Sequence, residues 1–421
     1  MPRLSDVVAD PNKMSNVIAA RGMSLDVDEI VDLDRRRRAL AQRVDSLRSS
    51  SKKLARQIGA AGGPDADPQL RDEAQALRDE EKELAGELRA VTDNLDSLCD
   101  WLPNWLDERV PIGGEEALEV VSAWGEPATL TFEPQHAHEL GTALGLIDTA
   151  GAVRAAGSRF YALCDDAVLL RNALVRLFLD HVRPQGFTLV SPPVLAKPAT
   201  LRASGYLPFQ GVDNFALRDE DLSLVGTSEQ TILGMHMDAT FESLPAAFLG
   251  DSMCFRTESG SYGKDTAGII RSHQFYKLEQ FIFCHPDDSE HWFQQALANE
   301  EWLLRVLSIP YQVINTPSGD LGAPAALKYD TEAWFPAQGK YRELTSNSNL
   351  WDFQTARGHI RYKIGTGKGA DKGHPHTISA TGFTDRLILA IFENHQLADG
   401  TIVLPEVLEP WVPRLHLVPR T

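Results

Sequence analysis

Apolar residues recur every seven positions along two neighbouring stretches near the start of the chain. The repeated positions are Leu33, Leu40, Leu47 and Leu54 in the first stretch and Leu70, Leu77, Leu84, Val91 and Leu98 in the second. A seven-residue apolar repeat predicts helices that pack along one seam. Glycines and a proline over 59–64 interrupt the pattern. We therefore predict an antiparallel coiled-coil hairpin over about 28–100.

The first predicted helix is strongly basic. Between Arg35 and Arg56 it carries nine Lys and Arg residues and one acidic residue, Asp45, whereas the second helix is rich in acids. Clustered cations along a helix are typical of a surface that binds nucleic-acid phosphates. The sequence predicts phosphate contacts at Arg36, Arg43, Lys52 and Lys53. A dimerisation coiled coil or a plain spacer remains the alternative.

The pattern changes after the hairpin. Proline and glycine are frequent over 106–155, which predicts a linker between an N-terminal domain over 1–105 and a second domain over 156–421. In the second domain a helix is predicted near 165–183 and another at about 383–398. Strand-like apolar runs occur at 245–256, 269–283, 311–316, 329–335 and 341–344. Runs of strands with few β-α-β crossovers favour a mainly antiparallel sheet flanked by helices, so the predicted fold class is α+β.

The bulk composition narrows the function classes. The chain has 421 residues and a net charge of −18, which argues against general nucleic-acid affinity and makes the basic helix a local feature. No apolar run approaches the roughly 18 residues of a membrane helix, so no membrane association is expected. Four widely spaced cysteines without a C-x-x-C pair argue against a disulfide scaffold or a zinc site and fit a reducing cytoplasm.

Two arginines, a carboxylate and an aromatic residue make the most informative segment. They are Arg256, Glu258, Arg271 and Phe275, and a Gly/Ser-rich loop lies between the first and second pair. An arginine fork binds carboxylate or phosphate in a bidentate manner, and an aromatic ring can stack on a purine. Apolar stretches on both sides of the loop predict an antiparallel hairpin. These features predict a site that holds a nucleoside triphosphate beside an acid substrate.

The pattern F-R-x-E followed by G-x-x-R-x-H-Q-F resembles motif 2 of class II aminoacyl-tRNA synthetases, and specifically of the seryl-tRNA synthetases. Four further segments resemble the same family: 186–195 resembles motif 1, 226–230 the Thr-x-Glu segment of the serine pocket, 341–349 the segment that helps to hold Mg·ATP, and 377–386 motif 3. The resemblance extends over essentially the whole chain, including the hairpin. It implies a class II antiparallel sheet flanked by helices behind a tRNA-binding coiled-coil arm.

The resemblance also implies a function. The chain would be a homodimeric, cytoplasmic enzyme that uses ATP with Mg²⁺ to make seryl-adenylate from L-serine and then passes serine to tRNA-Ser. The implied catalytic residues are Arg256 and Arg386. The implied ATP-binding residues are Arg256, Glu258, Arg271, Phe275, Glu343, Ser346 and Arg386, with Glu343 and Ser346 holding Mg²⁺ through ATP. The implied serine-binding residues are Thr227, Glu229, Arg256, Glu279 and Thr381, and the tRNA contacts are Arg36, Arg43, Lys52 and Lys53.

Three departures from the family pattern leave alternatives open. Ala267 stands where the family usually has arginine, and Asn347 where it often has cysteine. Motif 3 is one residue shorter than usual, with Ser379 where Asn is common and Asp385 before the arginine. We hypothesise that these positions lie in segments that border the adenylate or the tRNA 3′ end. A specialised paralogue for a biosynthetic pathway or inhibitor resistance is then one alternative, and a catalytically silent tRNA-binding protein is another.

Overall fold

A computed structural model describes most of the chain. The described residues are 1–60, 67–209, 214–258, 269–365, 367 and 371–418. The chain divides into an N-terminal unit, Pro2–Pro103, and a C-terminal unit, Asn104–Thr421 together with Met1. No helix of the described residues is long and apolar enough to cross a membrane.

The described residues form twelve α-helices and seventeen β-strands. The helices are α1 (Leu4–Ala9), α2 (Pro11–Ala20), α3 (Val27–Ala60), α4 (Pro68–Cys99), α5 (Ala137–Ala143), α6 (Thr149–Ala156), α7 (Asp166–Val182), α8 (Pro198–Ala203), α9 (Ser228–Met235), α10 (Ser289–Val306), α11 (Phe353–Arg357) and α12 (Arg386–Asn394). The strands are β1 (Glu119–Trp124), β2 (Ile147–Asp148), β3 (Ala162–Leu163), β4 (Thr188–Val190), β5 (Leu195–Ala196), β6 (Ser223–Leu224), β7 (Thr240–Phe241), β8 (Ala246–Phe255), β9 (Gln274–Cys284), β10 (Tyr311–Asn315), β11 (Leu327–Phe335), β12 (Lys340–Trp351), β13 (Arg361–Ile364), β14 (Asp371–Gly373), β15 (His376–Thr384), β16 (Ile402–Val403) and β17 (His416–Leu417).

The long helices α3 and α4 confirm the predicted hairpin in the N-terminal unit. The seam between them is formed by buried apolar residues of both helices, among them Leu47, Leu54, Val91 and Leu95. Asp67 caps α4 by accepting a hydrogen bond from the backbone N–H of Gln69, with Pro68 in the first turn. The predicted break over 59–64 lies largely outside the described residues.

Ion pairs join the basic helix to the acidic one. Arg43 lies 2.6 Å from Glu80 and Arg48 lies 3.0 Å from Glu81, and Arg36 pairs with Glu87. These side chains are substantially exposed, so each pair contributes little stability. Their arrangement favours one register of α3 against α4. Lys52 and Lys53 are exposed and are not among the residues that form the ion pairs of the described hairpin.

An eight-stranded sheet organises the C-terminal unit, in the order β1-β10-β11-β12-β15-β9-β8-β4. Every neighbouring pair is antiparallel except β4 and β8, which confirms the predicted antiparallel-dominated α+β architecture. The helices α10 and α12 pack on this sheet, and their apolar faces are buried. Phe281, Phe283, Phe293 and Phe383 are among the largest fully buried side chains.

Two of the β-bulges in the described central strands lie in the middle of β12 and β15. In β12, Thr345 pairs with Thr331 and Glu343 pairs with Glu332, so Leu344 is the extra residue. In β15, Thr381 pairs with Glu279 and Phe383 pairs with Leu278, so Gly382 is the extra residue. A Cβ atom at residue 382 would lie 2.5 Å from the Phe178 ring, and glycine therefore permits this close packing.

Residues 106–155 were expected to be a linker, but the structure includes them in the C-terminal unit. They contain β1, which is the edge strand of the large sheet, and α5, β2 and most of α6. Their proline and glycine content reflects the turns between these short elements. The last predicted helix, at about 383–398, is shorter in the structure, where α12 begins at Arg386 after β15 ends at Thr384.

Candidate active site

The first turn of α9 approaches the sheet at Gly250 of β8. A Cβ atom at residue 250 would lie 2.3 Å from Ser228 Oγ, so glycine is needed for this approach. Thr227 caps the helix by accepting a hydrogen bond of 3.4 Å from the backbone N–H of Glu229. Glu279 of β9 pairs with Gly250. The side chain of Glu229 therefore meets β9 and β15 at the middle of the sheet.

A buried polar cluster forms at this junction. The Ser379 hydroxyl lies 2.7 Å from Glu229 Oε2 and 2.8 Å from Glu279 Oε1. The Gln354 amide donates to Glu229 Oε1 at 2.5 Å. Lys277 pairs with Glu279 and also donates to the Thr227 hydroxyl at 3.4 Å. All of these side chains are buried.

The predicted serine-binding residues thus lie close together. Thr381, which is also buried, pairs with Glu279 across β15 and β9. Burial and the nearby charge of Glu279 raise the pKa of Glu229, although hydrogen bonds from Ser379 and Gln354 and the charge of Lys277 oppose this shift. The cluster can therefore bind a small group that presents an ammonium and a hydroxyl.

The two predicted motif 2 arginines lie at the ends of β8 and β9. The Arg256 Nε donates to the backbone carbonyl of Gly226 at 3.4 Å, and its guanidinium carbon lies 5.4 Å from the centre of the Phe275 ring. Arg271 lies 3.6 Å from the carboxylate of Glu258. Glu258 has a left-handed backbone with φ of 53°, and its carbonyl accepts a hydrogen bond of 3.0 Å from Arg159. The predicted loop between the two arginines, 259–268, lies outside the described residues.

Arg386 reaches the same cleft from the start of α12. Its guanidinium donates to the backbone carbonyls of Ile270 and Glu343, each at 3.1 Å, and lies 3.8 Å from the Glu343 carboxylate. Partial loss of solvation in the cleft opposes ionisation of Glu343, whose side chain is 53% exposed, but the positive charges of Arg386, Lys328 and Arg256 outweigh it and hold the pKa of Glu343 below its ordinary value. Glu343 therefore presents an anionic carboxylate to the cleft at neutral pH.

Most of the predicted residues of this unit line two adjoining cavities, whereas Thr227 and Glu279 line neither of the two. A cavity of about 70 Å³ includes Phe275, Thr381 and Arg386 in its lining. A polar cleft of about 470 Å³ includes Glu229, Arg271 and Ser379 in its lining. Four predicted residues line both cavities: Arg256, Glu258, Glu343 and Ser346. Because these four residues are shared, one continuous cleft runs from the cluster around Glu229 to Arg386.

Several side chains that support the cleft were not predicted from the sequence. Asp385 accepts a hydrogen bond of 2.5 Å from the Tyr161 hydroxyl and one of 3.0 Å from the backbone N–H of Tyr276, directly before Arg386. Lys328 lies 2.8 Å from Asp330 on β11, and Lys328 lines the polar cleft. Asp385 is one of the departures in motif 3, but Tyr161 and Tyr276 are distant from it in sequence, and no local pattern indicates these contacts.

Asn347, one of the departures from the family pattern, makes a contact within the core. The side chain of Asn347 is fully buried and donates to the backbone carbonyl of Phe293 at 2.7 Å, on the side of β12 that faces α10. It does not line either cavity as described. The Asn347 side chain therefore faces away from both cavities, because neighbouring strand residues point to opposite faces. Ala267 lies outside the described residues.

Family models match both parts of the chain. Residues 5–106 match the seryl-tRNA synthetase N-terminal domain, and residues 214–395 match the tRNA synthetase class II core domain (G, H, P, S and T). A serine–tRNA ligase from Thermobifida fusca (strain YX) is 40% identical over 406 residues, which cover 96% of this chain and 95% of that protein. A serine–tRNA ligase from Corynebacterium glutamicum is 40% identical over 395 residues, which cover 93% of this chain and 92% of that protein.

A solved structure shows the same architecture. The crystal structure of seryl-tRNA synthetase from Pyrococcus horikoshii complexed with ATP superimposes with a TM-score of 0.93 and 33% identity, and the match covers 100% of both chains. The helical hairpin, the antiparallel sheet and the extent of the sequence matches agree with one another. The chain therefore belongs to the seryl-tRNA synthetase family, the class II serine–tRNA ligases.

Proposed function

We propose that the cluster around Glu229 and Glu279 holds the amino acid in the serine–tRNA ligase reaction. The two carboxylates would receive the ammonium and the side-chain hydroxyl of L-serine, and the Thr227 and Thr381 hydroxyls complete the pocket. Alanine lacks the hydroxyl, so it would leave buried polar groups unpaired, which is costly. Arg256 lies between this cluster and the nucleotide end, and it can therefore bind the serine carboxylate.

The other end of the cleft is proposed to bind ATP. Glu258 would accept a hydrogen bond from the adenine amine, and Phe275 and Arg386 would sandwich the adenine ring. Arg271 and Arg386 would bind the outer phosphates. Glu343 and Ser346 offer a carboxylate and a hydroxyl oxygen, which are ligands that suit the Mg²⁺ carried by ATP.

The proposed chemistry needs orientation and charge stabilisation rather than a strong base. A serine carboxylate oxygen attacks the α-phosphorus of ATP, the bond to the β-phosphate oxygen breaks, and pyrophosphate leaves. Arg256 contacts both reacting groups, which reduces their mutual repulsion and stabilises charge on the α-phosphate. In the second step a 3′-terminal ribose hydroxyl of tRNA attacks the seryl carbonyl carbon, and AMP leaves.

The helical hairpin is proposed to bind tRNA-Ser through phosphate contacts and shape. Arg36 and Arg43 already pair with acids of α4, so their free positive potential is reduced. Lys52 and Lys53 are exposed and are the stronger candidates for direct phosphate contacts. A basic helix on an acidic protein would also limit non-specific binding to other nucleic acids.

A homodimer in the cytoplasm is the proposed state of the enzyme. Leu189 on the edge strand β4 is 45% exposed, which supports a partner surface at this edge of the sheet. Cys99, Cys164, Cys254 and Cys284 are all free thiols, and this fits a reducing compartment.

The continuity of the cleft from Glu229 to Arg386 is the observation that carries the proposed roles. The test is amino-acid-dependent exchange of pyrophosphate into ATP with serine, threonine, alanine and glycine, followed by charging of purified tRNA-Ser. We expect exchange with serine far above the other three and esterification of tRNA-Ser. No exchange with serine, in a folded protein that binds tRNA-Ser, would favour the catalytically silent alternative.

A further inference from the structure

The Ser379 hydroxyl stands between two carboxylates and cannot satisfy both. Its oxygen is within hydrogen-bond distance of Glu229 and of Glu279, yet a serine hydroxyl carries one hydrogen. If both carboxylates were ionised, one of the two contacts would place oxygen lone pairs against each other in a buried site. While no substrate ammonium is present, the geometry therefore favours one more proton in this cluster.

The contacts of each carboxylate decide which of them holds that proton. Glu279 pairs with the buried ammonium of Lys277, which stabilises its ionised form. Glu229 has no such direct pair among the described ion pairs, and it accepts a neutral amide hydrogen bond from Gln354. The charged or titratable groups that act on Glu229 are Glu279 and Lys277 on β9 and Tyr206 after α8. Cys254 on β8 and Arg256 after β8 lie beside Tyr206 in the same cluster. The raised pKa of Glu229 agrees with this assignment.

We infer that Glu229 is protonated in the free enzyme, that Ser379 links it to ionised Glu279, and that serine binding releases the proton. This inference rests on the proposed serine site. The Glu229 carboxyl donates to the Ser379 oxygen, and the Ser379 hydroxyl donates to Glu279. When the ammonium of serine arrives, an adjacent positive charge favours the ionised carboxylate, so the Glu229 O–H bond breaks and the proton passes to solvent.

Ser379 is therefore a positioning residue that acts through the two glutamates. An asparagine at this position would present two amide hydrogens and could donate to both carboxylates in their ionised forms. Replacing Ser379 with asparagine is accordingly expected to lower the pKa of Glu229 and to remove the proton release. Replacing it with alanine removes the link and leaves the two carboxyls without their shared partner.

The test is isothermal titration of the dimeric enzyme with serine in buffers of different ionisation enthalpy, at a mildly acidic pH of about 5.5, where ordinary carboxyls are ionised. The dependence of the binding heat on the buffer gives the number of protons released. We expect close to one proton for the parent and close to zero for Ser379→Asn. In the parent the KM for serine should rise as the pH falls, and in Ser379→Asn it should depend less on pH. The pH dependence of kcat should be the same in the two proteins.

Thermal unfolding and ATP binding of Ser379→Asn show whether that variant is folded. Ser379→Thr retains the hydroxyl and should release a proton on serine binding as the parent does. Binding of serine without any buffer-dependent heat in the parent would overturn the inference while leaving the proposed function intact. Equal proton release by the parent and Ser379→Asn would overturn the role of Ser379. Absence of both serine binding and serine-dependent exchange would instead overturn the proposed function.

Discussion

Glu343 and Ser346 line the same cleft, although they are three positions apart along β12. In a regular strand this odd spacing would send the two side chains to opposite faces. The bulge at Leu344 restores them to one face, while the Thr345 hydroxyl donates to Glu300 on α10 at 2.6 Å. An anionic oxygen and a hydroxyl oxygen are thus presented together to the ligand.

This arrangement predicts a change in the Mg²⁺ requirement. Glu343→Gln should raise the Mg²⁺ concentration for half-maximal serine-dependent exchange by about tenfold or more, because a charged oxygen ligand is lost. Ser346→Ala should give a smaller shift in the same direction. A Mg²⁺ titration of pyrophosphate exchange measures both, and unchanged titrations would exclude these residues from the Mg·ATP site.

We predict that Asp385 holds Arg386 in position for ATP binding. Asp385→Asn should raise the KM for ATP by about tenfold, since the hydrogen bonds from Tyr161 and Tyr276 that fix the start of α12 are weakened. Tyr161→Phe removes one of them and should have a smaller effect. Steady-state exchange at varied ATP measures the change, and an unaltered KM in Asp385→Asn would show that Arg386 is held by other contacts.

The hairpin predicts two classes of charge variant. Lys52→Glu with Lys53→Glu should weaken tRNA-Ser binding and reduce the salt dependence of log K by about 0.7–0.9 per lost phosphate contact, without lowering thermal stability. Arg36→Glu with Arg43→Glu should weaken binding and also lower the melting temperature, because both arginines pair with acids of α4. Filter binding across a salt series and thermal unfolding separate the classes. Normal tRNA affinity in both would support the spacer alternative.

His376 is predicted to make the folded protein less stable in mild acid. Burial lowers the pKa of this imidazole from about 6.5 to about 4, so it stays neutral in the folded protein and becomes protonated on unfolding. The unfolded state then binds more protons, and stability falls as the pH drops from about 6.5 towards about 4. His376→Gln should flatten this slope. Urea unfolding at several pH values tests it, and an unchanged slope would assign the acid sensitivity to other groups.

Structural features that depend on residues close together in the sequence were easier to predict than features that depend on distant residues. The seven-residue repeat is a local property of α3 and α4, so it gave the hairpin without knowledge of the rest of the chain. The alternation of strand residues could also have shown that Asn347 faces away from Ser346. The bulge at Leu344 and the contact of Ser379 with Glu279 depend on the register between strands that are distant in sequence, and one sequence carries no direct signal of that register.

The most direct test of the account is serine-dependent pyrophosphate exchange by Arg256→Ala, with Arg154→Ala, an exposed arginine of α6, as the matched control. Arg256 lines both cavities and is proposed to contact serine and ATP together, so its loss should lower the exchange rate by at least about a hundredfold, the scale of losing one oriented charge donor. The variant should remain folded and should still bind tRNA-Ser, and the control should exchange at the parent rate. A near-normal exchange rate in Arg256→Ala would contradict the account.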